Sequence, residues 1–182
     1  AAEEAKDPKR SIPVAYVSGI LTLLVLAITS IPRLIRRMGI NSQSLTSKNA
    51  VIPICYYLYK KQVGNGSLFK SINNLSKHNE QRDLISRWFY MALLKEVFGG
   101  QADTILKSMR DVLDQHMDEQ YFPLQQVVER YTATNKDLRF DDEYMESVLN
   151  IEHGEGRCRA LLHLLFPEMD PSRIYHIDHL HP

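Results

Sequence analysis

The chain has 182 residues, enough for one ordinary domain with a hydrophobic core. Its 22 Lys and Arg balance 22 Asp and Glu, so bulk charge gives no support for a nucleic-acid partner, although a local basic patch is compatible with a neutral total. The two cysteines, Cys55 and Cys158, are far apart in helical-looking apolar contexts; they read as reduced, buried thiols of a cytosolic protein rather than a disulfide or a zinc site.

The mean hydropathy of −0.28 describes a soluble protein, but it averages over one very uneven region. From Ser11 to Pro32 there is no charged residue, and Ile12 to Ile28 is apolar nearly all round. That length approaches the ~20 residues a helix needs to cross a bilayer core. Ser11 suits an N-cap, and Pro13 sits in the first turn, where its missing N–H does no harm. Residues 12–31 therefore predict a transmembrane-like helix, with a buried globular helix as the alternative. A secretory signal fits less well, because the preceding Ala1–Pro8 is acidic and no small-x-small site precedes Ile31. Lys6, Lys9 and Arg10 before the span match Arg33, Arg36 and Arg37 after it, which leaves orientation open. Such symmetry suggests that two unrelated pieces of sequence meet here.

After Pro32 the pattern becomes that of amphipathic helices. Asn49–Lys61 predicts the first, with Pro53 in its opening turn, and Gly64–Ser67 predicts a turn. Asn79–Phe98 predicts a longer helix stopped by Gly99-Gly100. Ala102, Ile105, Leu106, Met109, Val112 and Leu113 form the stripe of the next. Tyr121–Tyr131 and Asp142–Leu149 are shorter, the latter capped by Asp141 or Asp142, and Arg157–Phe166 ends at Pro167. The fold class expected is mainly α: an irregular helical bundle preceded by one apolar helix and followed by a short strand. Tyr56-Tyr57, Trp88-Phe89-Tyr90 and Tyr121-Phe122 lie at helical spacing and are assigned to the core rather than to base stacking. Gly99-Gly100 lacks the strand and third glycine of a phosphate-cradling loop, and no GxxxxGK[ST] occurs, so nucleotide binding has no support.

Arg173–Ile177 is β-branched and aromatic and reads as a strand. His176, Asp178, His179 and His181 then supply four potential ligands or bases within six residues. One-metal phosphodiester cleavage needs such density. A carboxylate helps hold a divalent ion against the phosphate, and a neutral imidazole takes a proton from the attacking water. Alternation along a strand separates His176 and Asp178 from His179, but a turn beginning at Asp178 brings both side chains to one cleft. A loop with surface histidines is the alternative reading.

Two resemblances add to this. Ala2–Pro13, with its E-E-x-K-x-P-x-R-x-I-P pattern and the apolar run behind it, resembles an amino-acid/polyamine/organocation permease of the ethanolamine type. Ser44–Lys60, Trp88–Thr104 and the terminal His-Ile-Asp-His-Leu-His-Pro resemble, in that order, the helical half of GmrSD-type restriction proteins. Those proteins join a ParB-like NTPase domain through such helices to an HNH nuclease domain. The first resemblance implies a permease-like loop and helix at 1–31; the second implies a helical domain at 32–170 and the start of a ββα-metal (HNH) unit at 171–182. It implies a phage-defence or modification-dependent DNA endonuclease using Mg²⁺ or a similar divalent ion, cytoplasmic in its nuclease-like part. It makes Asp178 a metal ligand and His179 the general base; His176 matches the motif's first histidine without a definite role, and His181 receives none.

The ParB-like domain and the downstream Asn and His/Asn ligands are not among these residues, and both termini look cut. Asp178 alone does not hold a metal in the required geometry. The expectation is therefore a fragment inactive as it stands, fused to a permease remnant. A membrane-associated permease fragment and a non-catalytic helical interaction module are the alternatives. No small-molecule substrate is identifiable.

Overall fold

The structure is a computed structural model that describes residues 47–62, 80–152 and 154–169. The apolar span at 12–31, the turn at 64–67 and the strand at 173–177 lie outside the described residues. What is described is mainly helical, with no strand among these residues. A 3-10 turn, Lys48–Ala50, leads into α1 (Val51–Gln62), followed by α2 (Glu80–Leu94), α3 (Ala102–Gln115), α4 (Leu124–Arg130), α5 (Asp142–Val148) and α6 (Gly156–Leu165). Among the described residues no helix is long and apolar enough to cross a membrane.

The centre of the fold is α2. Seven consecutive residues, Trp88 to Leu94, are buried. Seven residues are nearly two helical turns, so the C-terminal half of α2 is enclosed on every side rather than along one stripe. Its neighbours are the 3-10 turn, α4 and, most extensively, α6. Trp88, 1% exposed, packs edge-on against Phe98 and tilted against Phe122, and Phe122 in turn meets Tyr57 edge-to-face at 5.2 Å. The three aromatic clusters thus meet in the core, as their spacing predicts, with Tyr56 and Tyr121 only half-buried. Truncating such a buried ring typically costs about 3–5 kcal/mol.

Helix α3 lies on α1 as a one-sided amphipath, with Ile105, Met109, Val112 and Leu113 buried at i, i+4, i+7 and i+8. Its outer edge is tied to α1 through Asp114, which accepts the Tyr56 hydroxyl at 2.7 Å and pairs with Lys60 at 3.4 Å. Buried Tyr131, just past α4, donates its hydroxyl to the Ile105 carbonyl. Both cysteines are free, but each is only partly buried rather than fully so. Burial nevertheless pushes the Cys55 thiol up to about 11, which keeps it unreactive near neutral pH.

Helix α2 stops four residues earlier than the glycine pair suggests. Val97 N–H bonds the Ala92 carbonyl, Glu96 N–H bonds the Leu93 carbonyl, and Glu96 adopts φ 48°. This is a Schellman cap with Glu96, not glycine, in the left-handed position. The other carbonyls at this end find partners far along the chain. Leu94 accepts the Tyr144 hydroxyl at 2.7 Å, and Gly99 and Glu96 accept the Lys136 ammonium at 2.9 and 3.3 Å. Gly100, at φ 83°, then turns the chain into α3. Asp141, rather than Asp142, caps α5 by accepting the Tyr144 N–H. Ahead of it, Asp137 gathers Ala133 N–H, Arg139 N–H and the Arg139 guanidinium, which hold its carboxyl far below the usual carboxylate range.

A left-handed conformation costs an L residue roughly 1–2 kcal/mol, and glycine escapes it at some entropic cost in the unfolded chain. Glu96→Gly is therefore expected to stabilise the fold by about 0.5–1 kcal/mol and raise Tm by a few degrees in thermal denaturation. Glu96→Val should lower Tm. A lower Tm for the glycine variant would contradict the cap.

Candidate functional site

The residues that the sequence singles out for metal chemistry, Asp178 and His179 with His176 beside them, lie outside the described residues. Among the described residues no group of three or more His, Cys, Asp or Glu side chains is placed to hold a metal ion. The described fold builds a concavity of about 440 Å³ between α1 and α3, and a cleft of about 430 Å³ between α2, α5 and α6.

One continuous face of α2 makes its first wall. Arg82, Ser86, Tyr90 and Leu94 recur every four residues, so they line up along the helix, with Arg87 and Met91 beside them. Leu161, Leu164 and Leu165 of α6 form the opposite wall, and Phe140, Met145 and Val148 close one end. Phe140, Met145 and Leu165 are 37%, 48% and 60% exposed, so the mouth presents apolar surface to solvent.

At the α2–α6 seam the Tyr90 and His163 rings stack, with centroids 4.5 Å apart and planes 13° from parallel. Burial, and then the nearby Arg159 charge, lower the His163 pKa below its ordinary value, so the imidazole is neutral at physiological pH. Burial raises the Tyr90 phenol well above its ordinary range, opposed by the charge of Arg82. Arg82 is 8% exposed, the one charged side chain buried among the described residues. A guanidinium does not shed its proton in a protein, so Arg82 stays ionised although it is buried.

Beyond the Phe140 end, the Lys95 ammonium stands 3.6 Å from the Tyr144 ring centroid and 5.7 Å from that of Phe140. Burial lowers its pKa, against the pull of Asp141 and Asp137. The lysine pins the loop before α5 to the end of α2 and so fixes the position of Phe140.

The cleft combines an apolar concavity, a buried arginine and a neutral aromatic stack, an arrangement suited to binding. None of its residues was marked as functional by sequence spacing. The signal lay in Arg82, a charged residue three positions before buried Ile85 on the inward face of α2. Comparison with protein-family models finds no match, and no curated protein matches the chain either.

A histidine whose pKa is lowered by folding binds fewer protons in the folded state than in the unfolded one. Its contribution is fully present above the unfolded value of about 6.5 and is lost as pH falls through the lower folded value. His163→Phe, which keeps a ring against Tyr90, should therefore flatten the fall in stability as pH drops below about 6.5. Urea denaturation of both proteins at pH 7.5 and 5 checks this; parallel losses would contradict it.

Proposed function

We propose that residues 32–182 are the helical connector of a GmrSD-type HNH endonuclease running into the start of its nuclease unit, and that residues 1–31 are a permease-like loop and apolar helix. The observation that carries this reading is the position of two resembling segments in the fold. Ser44–Lys60 contains the 3-10 turn and most of α1, and Trp88–Thr104 contains the buried half of α2, its cap and the start of α3. The likeness therefore falls on the packed centre, the part of a domain whose sequence is most constrained by volume and shape. A body enclosed around one helix also suits a rigid joint between a sensing domain and a cutting domain.

In this reading DNA is the partner and Mg²⁺ or a similar divalent ion is the cofactor. Asp178 supplies one ligand, and His179 takes the proton from the attacking water. His176 has no fixed role. One carboxylate is too few ligands for a bound metal, so the 182 residues by themselves are expected not to cleave DNA. The nuclease-like part belongs in the cytoplasm, and residues 12–31 would tie it to a membrane.

The test is made on the gene product read across its complete frame. His179→Ala is expected to slow metal-dependent DNA cleavage by a factor of roughly 10²–10⁴, and Asp178→Ala to abolish it with loss of Mg²⁺ binding. Wild-type cleavage rates in both variants would sink the assignment. Cleavage by the 182 residues alone, abolished by Asp178→Ala, would overturn the expectation of inactivity.

A further inference from the structure

We infer that residues 140–150 are a lid over one end of the cleft, one that opens while the helices around it stay folded. This goes beyond the nuclease reading and does not depend on it.

Two anchors bound the lid. Before it, Leu138 is 1% exposed in the core, and the Asp137–Arg139 clasp fixes the backbone around it. After it, Ile151 packs against the same core. Between these anchors every residue except Tyr144 and Val148 is exposed. Val148 is buried, but apart from the main core cluster. Helix α5 has no extensive packing partner among the described elements, whereas α6, which follows it, lies broadly on α2. Its seven residues are about half the ~12–15 below which an isolated helix is marginal, so α5 keeps its form only through contacts with the body.

Those contacts gather at one point, as a latch does. The Tyr144 hydroxyl donates to the Leu94 carbonyl at 2.7 Å, and the Lys95 ammonium stands 3.6 Å from the centroid of the same ring. Phe140 leans on Tyr144, which joins the start of the lid to the latch. When the latch lets go, water reaches both the hydroxyl and the carbonyl, so neither is left unmet. The net value of such a bond is a factor of roughly three to ten in an opening equilibrium. Local opening against so few buried contacts needs far less free energy than unfolding a core. Phe140, Met145 and Val148 close one end of the cleft, and their release opens it.

Native-state hydrogen exchange of the full chain, followed peptide by peptide in rising urea below the unfolding transition, tests the lid. Residues 144–148 are expected to exchange with little urea dependence, less than about twofold per molar, because their opening exposes little surface. Residues 88–94 wait on unfolding of the core and are expected to accelerate by about fivefold or more per molar. Tyr144→Phe keeps the ring and removes the latch hydroxyl, and is expected to speed exchange at 144–148 by about threefold or more. Asp141→Ala removes the cap of α5 at an exposed site, and is expected to speed it by about fivefold. Equal urea dependence in the two segments, or unchanged rates at 144–148 in either variant, would overturn the lid.

Discussion

The fold depends on one constraint: the C-terminal half of α2 is buried all round, and a buried helix end must satisfy its carbonyls without water. Solvent ordinarily takes the last unsatisfied carbonyls of a helix. Here two are taken by the Schellman turn and one by a tyrosine hydroxyl fifty residues on, while the Lys136 ammonium binds the exposed carbonyls of Glu96 and Gly99 just beyond the helix. Leaving such a group unmet costs about 1–3 kcal/mol, comparable with an appreciable fraction of a small domain's whole stability. The segment from Lys136 to Tyr144 is therefore held in place by the needs of a helix that ends at Leu94.

The remaining architecture follows from enclosing that helix. Phe122 and Trp88 interlock over the α1 and α4 side, while α6 covers the opposite face. Leu138 is buried and Phe140 stands at the cleft because the Asp137–Arg139 clasp and the Asp141 cap set the backbone between them. The cleft lies where α2, α5 and α6 come together, and Arg82 and Met91 border it although both are buried.

Much of this was legible in the residues. The stripe of α3 reads directly from its spacing, and the described helices fall close to their expected positions. The departures have local causes. Gly99-Gly100 suggested the end of α2, but Glu96 adopts the left-handed turn first, because the groups that satisfy that end lie some forty and fifty residues away. Tyr121–Tyr131 shortens to Leu124–Arg130 because Pro123 occupies the N-cap position, leaving Tyr121 and Phe122 in the non-helical segment before it. The cleft was invisible for a different reason: its walls come from three segments that only tertiary packing brings together. The metal-site residues, in contrast, stand out in sequence but lie outside the described structure.

The Tyr144 bond to the Leu94 carbonyl also bears on the order in which the chain matures. A contact across fifty residues closes late, because the loop it spans must surrender its freedom first. As the chain leaves the ribosome, Trp88 to Leu94 emerge well before Lys136, Tyr144 and α6. Until these arrive, the helix with the longest buried run among those described has an open side and a frayed end. That interval exposes α2 to association with other nascent chains, and it makes the second half of the domain, rather than its hydrophobic centre, the part whose synthesis completes the fold.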